Sequence, residues 1–279
     1  MKEIFLEYIN KLINNKGEIK VYDSLAKLFK KEKMYHEYAS CLEKMWHKNK
    51  KPELCLEIGN IFREKLQNSY VAKIAYNRYL YQVDPNFCKT YINNLIDLGY
   101  EGFSLEDLTE NCDSPIVDYC DKYNAIVHIL IYLLNQEKYA ELLELGQYLD
   151  VFAEKIEDFY AQNPNYDKCY DSDRINANRH LADLLSKVQH HNDINKFAIK
   201  LFPDIDTPYI NIIADLIIYK NYDDAINFYN NNYCKAFEKE QTTSIIDLCW
   251  KISDIYRDKF IFFEAVRFQQ IALEIELGK

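Results

Sequence analysis

Glycine and proline are scarce in this sequence: the 279 residues contain six of each, against average usages of about 7% and 5%. Sandwiches and barrels of β-strands need these residues at many tight turns, and nucleotide-binding loops are built on glycines. The scarcity therefore argues against turn-rich β folds and glycine-built phosphate sites. It favours long helices joined by short polar connections.

Long apolar runs are also lacking. The most apolar stretch runs from Ala125 to Leu134 and includes His128, whereas a transmembrane helix needs about 18 or more apolar residues. The N-terminal segment carries Glu3 and Glu7 and has no small-residue cleavage site, so it does not resemble a signal peptide. We therefore expect no membrane span and a cytoplasmic protein.

The eight cysteines form no CxxC pair. Disulfide frameworks serve small secreted domains that cannot build a core, which this chain is long enough to do. The sequence predicts free, mostly buried thiols. The cysteines are Cys41, Cys55, Cys88, Cys112, Cys120, Cys169, Cys234 and Cys249.

The sequence offers little for metal or catalytic chemistry. His190 and His191 with Asp193 are the only local histidine cluster, and they fall in a predicted connection, which favours a surface turn. The acidic segment 167–173 lacks the glycine and terminal glutamate of a calcium loop. GxSxG and glycine-rich phosphate motifs are absent. We predict no metal, no cofactor and no enzyme activity, although a Cys/His pair that meets only in space stays open as an alternative.

Charge is unevenly distributed. The net charge is -10, from 34 basic and 44 acidic residues. Residues 1–51 alone have a balance of +5, which leaves -15 for the rest of the chain. The molecule thus has a basic end and an acidic body. Because the body repels phosphate, nucleic-acid binding through the basic end is an alternative rather than the first hypothesis.

A pattern of apolar residues recurs along the chain. Tyr22, Leu25, Ala26 and Phe29 form its first instance, and this spacing places all four on one face of a helix. After a short polar connection a second set follows, with Tyr38 and Leu42, so each instance predicts a pair of helices. The six instances start at Tyr22, Cys55, Ile126, Asn178, Tyr209 and Cys249.

This pattern, clearest in YDDAINFY at 222–229 and YNRYLYQVDP at 76–85, resembles the tetratricopeptide repeat, a helix-turn-helix unit of about 34 residues. The spacing between instances is uneven, so the match is to the helix pair rather than to a strict period. The resemblance implies an all-α fold: a right-handed α-solenoid of about six to seven helix pairs in one domain, residues 1–279. Its predicted parts are a capping helix at 1–15, two repeats at 19–85, a divergent helical pair at 86–122, a repeat at 123–161, a loop or insertion at 162–174 and three repeats at 175–279.

In the tetratricopeptide family, extended peptides or partner helices lie in a concave groove lined by the first helix of each pair. Matching repeat positions gives the groove residues that the resemblance implies here. They are Lys20, Lys27, Lys30, Lys31, Asn60, Arg63, Asn124, Val127, Ile131, Asn135, Asn176, Arg179, Asp183, Lys187, Ile210, Ile217, Trp250, Asp254 and Arg257.

Two features of this set suggest a ligand. Its N-terminal end is rich in lysine, which suits an acidic or carboxylate-bearing partner, and its middle has asparagines that can bond a peptide main chain. Alternatively, the lysines form a solvated end, and Ile210 and Ile217 pack against another helix. The first hypothesis is a protein-interaction module that binds a peptide or partner helix as scaffold, chaperone or regulator. Phe260 to Phe263 and Phe268 are expected to be exposed and could make a homodimer contact.

Overall fold

The structure is a computed structural model that describes residues 2–84, 86, 115–164, 172–188 and 190–278, and the side chains of 172 and 173 lie outside this description. All regular structure in these ranges is helical, and none of it is strand, as the sequence predicts. No helix among the described residues has the length and apolar character needed to cross a bilayer. The divergent helical pair predicted at 86–122 and the loop or insertion predicted at 162–174 lie mostly outside the described residues.

The chain forms two compact units, and each is described by itself. Unit 1 comprises Met1–Leu133 and Glu144–Ala177, and unit 2 comprises Leu134–Leu143 and Asn178–Lys279. The single domain expected from the sequence stays a prediction.

Helices α1 to α9 cover the first part of the chain, including the segments that belong to both units. Their bounds are α1 Lys2–Ile13, α2 Glu18–Lys31, α3 Tyr35–Asn49, α4 Pro52–Glu64, α5 Ser69–Val83, α6 Pro115–Asn135, α7 Tyr139–Gly146, α8 Leu149–Gln162 and α9 Ser172–Ser186.

The remaining helices lie in unit 2. Their bounds are α10 Asn192–Leu201, α11 Thr207–Ile218, α12 Tyr222–Phe228, a π-helical turn at Tyr229–Tyr233, α13 Cys234–Phe237, α14 Ile245–Asp258 and α15 Phe262–Glu276.

Local chemistry sets several helix ends. Pro52 occupies the first turn of α4, where its missing N–H costs no hydrogen bond. The side chains of Asn68 and Ser244 accept backbone N–H bonds at the starts of α5 and α14. Lys50 adopts the left-handed conformation that ends α3. These signals keep the connections short, so that consecutive helices such as α2, α3, α4 and α5 pack on one another.

The recurring apolar positions form the core, as their spacing predicts. Tyr22, Leu25 and Phe29 are fully buried in α2, and the equivalent positions of the other instances are also mostly buried. Gly59 allows α4 to approach α5 closely, because a β-carbon there would lie 2.4 Å from Cε1 of Tyr76. The described cysteines Cys41, Cys55, Cys120, Cys234 and Cys249 are free and buried, which confirms the prediction for those five.

Helix α6 differs from the sequence prediction. The sequence places a boundary between residues 122 and 123, yet α6 runs unbroken from Pro115 to Asn135. Its apolar half packs on α1 and α2, with the ring of Tyr132 5.7 Å from that of Phe5 and the imidazole of His128 6.2 Å from the ring of Phe29. Because α6 contacts helices that come much earlier in the chain, unit 1 is not limited to the contacts between neighbouring repeats that a simple repeat array would have.

Unit 2 has its own core around α11. Helices α10, α12 and α14 pack against α11, which is apolar on nearly all sides and buries Ile210, Ile213 and Ile217. The π-helical turn extends the second helix of the fifth predicted repeat. There, Asn230 donates to the carbonyl oxygen of Thr242 at 2.6 Å and accepts from its backbone N–H at 2.9 Å. This pair of bonds fixes the connection before α14.

Candidate binding groove

A groove of about 390 Å³ opens in unit 1 between α2, α3 and α4. We call it the α2–α4 groove. Tyr35 and Tyr38 of α3 and Leu56 and Ile61 of α4 provide its apolar part, and Leu56 keeps 38% of its surface exposed. Charged and amide side chains from α2 and α4 line the remainder. The polar lining consists of Lys30, Glu53, Glu57, Asn60, Glu64 and Lys65.

One ionic cluster joins the walls of the groove. The ammonium of Lys30 lies 3.1 Å from Oε1 of Glu57 and donates to the hydroxyl of Tyr38 at 3.0 Å, and that hydroxyl donates to Glu57. The hydrogen bonds to Tyr38 and Glu57 raise the pKa of the Lys30 ammonium. Burial and the Glu57 carboxylate raise the pKa of the Tyr38 hydroxyl. Lys30 therefore stays charged and Tyr38 stays neutral at ordinary pH.

A second arrangement holds the α4 wall in place. The hydroxyl of Tyr76 donates to Oδ1 of Asn60 at 2.8 Å, and the guanidinium of Arg63 lies over the Tyr76 ring at 5.7 Å. Arg63 also forms an ion pair with Glu64 at 2.7 Å. Asn60 and Arg63, both predicted groove residues, thus lie together on α4, and Asn60 lines the α2–α4 groove with Lys30.

The charge of the groove differs from the cationic lining expected from the sequence. Lys30 and Lys65 are outnumbered there by Glu53, Glu57 and Glu64. On the exposed face of α2, Lys27 pairs with Asp23 at 2.6 Å. Lys30 lies on α2, the three glutamates lie on α4 and Lys65 directly follows α4, so the groove carries charges of both signs instead of one positive field.

The other predicted groove residues divide by burial. Five of the predicted residues, in the middle of α6 and α11, are buried by helices of their own unit. They are core residues and not part of a surface groove, as the resemblance had implied: Asn124, Val127, Ile131, Ile210 and Ile217. The remaining ones lie at the surface: Lys20, Lys27, Lys31, Asn135, Asn176, Arg179, Asp183, Lys187, Trp250, Asp254 and Arg257. Lys20, Lys27 and Lys31 share α2 with Lys30, and Trp250, Asp254 and Arg257 share α14.

Sequence reasoning missed a buried ionic cluster where α6 meets α2 and α3. Asp121 lies 3.3 Å from Nζ of Lys44 and 2.9 Å from Nδ1 of His47, while Lys122 lies 3.0 Å from Glu18. Burial alone would raise the pKa of the Asp121 carboxyl, but Lys44 and His47 lower it to about 2. Charged residues within a helical pattern normally indicate a solvated face, so nothing in the sequence marked these as partners.

The histidine cluster lies in a connection, as expected. His191 caps α10, its Nδ1 accepting from the N–H of Ile194 at 3.4 Å. His190 lies 2.5 Å from the buried carboxylate of Asp215, a partner that the sequence did not reveal. Within the described ranges, no group of three or more His, Cys, Asp or Glu side chains could hold a metal ion.

Comparison of the chain with models of known protein families and with curated proteins finds no match.

Proposed function

We propose that this chain is a non-enzymatic protein-interaction module, a tetratricopeptide-like right-handed solenoid that binds a peptide or partner helix in the α2–α4 groove. The repeat assignment is supported by the burial of the recurring apolar positions and by the packing of consecutive helices on one another. The single observation that carries the binding proposal is the groove itself, which combines an accessible apolar part with polar side chains on both walls.

The groove suits an amphipathic segment with acidic residues along one side. An apolar side chain of the ligand would contact Leu56 and the tyrosines, and its carboxylates would meet the lysines of α2. Lys27 and Lys30 already pair with Asp23 and Glu57, but solvent-exposed ion pairs contribute only about 0–1 kcal/mol. A ligand carboxylate can therefore replace these partners at little cost. Lys20 and Lys31 form no ion pair within the described residues.

The experiment is selection of peptides from a displayed library on the full chain, followed by binding measurements with variants. Leu56→Arg places a charge in the apolar part of the groove and should abolish binding of the selected peptides. Ile19→Arg is the matched control, because Ile19 has a similar exposed fraction, 40%, and does not line the groove. Equal binding by both variants would reject the groove as the site.

A second pair of variants tests the acidic character of the ligand. Charge reversal at Lys27, Lys30 and Lys31 should weaken binding of acidic peptides without lowering the melting temperature. The control reverses three exposed lysines of unit 2, Lys196, Lys220 and Lys235. If the chain instead binds RNA or DNA in a mobility-shift assay, and higher salt weakens that binding, nucleic-acid binding would be favoured over this proposal.

A further inference from the structure

Helix α15 has an apolar outer face in addition to the face that packs on α14. Its inner residues Ala265, Phe268 and Ala272 are buried, and the Phe268 ring stacks on Tyr256 at 5.6 Å. Phe268 is thus a core residue and not the exposed aromatic that the sequence suggested. The outer residues keep large exposed fractions: Phe263 80%, Val266 61%, Leu273 47% and Leu277 65%.

The outer residues follow a heptad spacing. Phe263, Val266, Gln270, Leu273 and Leu277 are separated alternately by three and four positions, which is the arrangement of the a and d positions of a coiled-coil seam. Gln270 is the one polar member, and it is exposed. A helix with this outer face is shaped to pack lengthwise against another helix.

The apolar surface exposed here is larger than a monomer normally leaves open. The turn before α15 and the first residue of the helix add the exposed side chains of Phe260, Ile261 and Phe262. Together with the outer residues they offer on the order of 800 Å² of accessible surface, taking about 150–250 Å² for each full-sized aromatic. The largest apolar patch of a typical monomer is about 300–600 Å², so this region exposes more apolar surface than a single folded chain usually does.

We propose that α15 is a homodimer interface, in which the outer faces of two copies pack antiparallel about a two-fold axis. In an antiparallel pair each a residue meets a d residue of the second copy. Gln270 then lies opposite Leu273, and Val266 opposite Leu277. This register pairs the stretch from Val266 to Leu277, and the apolar side chains of residues 260–263 lie outside it. In that register the flanking Arg267 lies opposite Glu274 of the second copy, and the two-fold axis repeats this pair of opposite charges.

Charge also selects the antiparallel arrangement over the parallel one. In a parallel pair the positions flanking the seam would place Arg267 beside Phe262 and Glu274 beside Gln269 of the second copy, and neither contact pairs opposite charges. In the single chain Arg267 lies 3.4 Å from Glu264, and Glu274 accepts from Gln270 at 3.0 Å. These contacts are local, so both side chains are already held on α15.

The test is sedimentation equilibrium of the full chain at micromolar concentrations. The wild type should dimerise, and the double variant Val266→Glu with Leu273→Glu should be monomeric with unchanged far-ultraviolet circular dichroism, because both side chains are exposed. Tyr219→Glu is the matched control: Tyr219 is 73% exposed and lies on another element, so this variant should dimerise like the wild type. A wild type that is monomeric throughout, or a dimer that persists in the double variant, would overturn the proposal.

A charge exchange tests the register. Arg267→Glu should raise the dimer dissociation constant by about tenfold, equivalent to about 1.4 kcal/mol. Adding Glu274→Arg should restore most of the wild-type affinity, because the exchanged pair again joins opposite charges across the axis. A double variant that dimerises no better than the single one would reject the antiparallel register.

Discussion

Nδ1 of His47 lies 2.9 Å from Oδ2 of Asp121, although 74 residues separate the two in the sequence. The other carboxylate oxygen of Asp121 lies 3.3 Å from the ammonium of Lys44. One buried carboxylate therefore links the end of α3 to the first half of α6. We expect the stability of unit 1 to depend on this link. The chain offers a direct probe, because its two tryptophans are Trp46 in unit 1 and Trp250 in unit 2.

Replacing Asp121 with asparagine should destabilise unit 1 by about 3–5 kcal/mol, because it removes the shared anion from two buried basic side chains. The measurement is urea unfolding followed by Trp46 fluorescence in a Trp250→Phe background. Asp23→Asn is the control, since Asp23 forms an exposed pair with Lys27, and its effect should stay within about 0.5 kcal/mol. Similar losses in both variants would contradict a special role for Asp121.

The same carboxylate predicts how stability depends on pH. Its pKa falls from 3.8 to about 2 in the folded protein, so the unfolded chain binds a proton more readily than the folded one. The stabilisation is fully present above pH 4 and is lost as the pH falls from about 4 towards 2, and it amounts to about 2 kcal/mol. The difference in unfolding free energy between wild type and Asp121→Asn should shrink over that interval. A constant difference would refute this assignment.

Gly59→Ala should destabilise the α4–α5 pair. The new β-carbon would lie 2.4 Å from Cε1 of Tyr76, a ring that is tethered by its hydrogen bond to Asn60. Overpacking costs about 1–3 kcal/mol, which outweighs the gain of up to about 1 kcal/mol in helix propensity. In thermal unfolding, Gly59→Ala should therefore lower the melting temperature of the wild type and slightly raise that of the Tyr76→Ala variant. If Gly59→Ala lowers the melting temperature equally in both backgrounds, the clash with Tyr76 is excluded as the cause.

Asn230→Asp should loosen the connection before α14. Aspartate keeps an acceptor for the Thr242 N–H but loses the amide that donates to the Thr242 carbonyl at 2.6 Å. We expect a loss of about 1 kcal/mol in unfolding free energy and faster hydrogen exchange across residues 239–244. Asn232→Asp is the control, because Asn232 is exposed and donates only within its own helix. Unchanged exchange in Asn230→Asp would show that the two bonds do not hold this connection.

The sequence predicted the local features of the fold and missed those that depend on distant partners. Tyr22, Leu25 and Phe29 could be placed because helical spacing alone determines which residues share a buried face. Lys44 and Asp121 could not be placed, because a buried ion pair and a solvated charge look alike in a sequence.

The candidate groove was predicted less completely, and for a similar reason. Lys30 and Asn60 line the α2–α4 groove, on the faces of α2 and α4 that the repeat register predicted to be accessible. Val127 and Ile131 were assigned to the groove because the repeat register leaves one face of each first helix open. That assumption fails for α6, which other helices enclose on every side.

The position of α6 also has a consequence for synthesis of the chain. Phe29 and His47 leave the ribosome well before their partners His128 and Asp121 are made. At about 5–20 residues per second, the 74 residues that separate His47 from Asp121 take roughly 4–15 s to synthesise. During that time the apolar face of α2 lacks the helix that covers it, so a nascent chain that ends before α6 exposes this face to solvent.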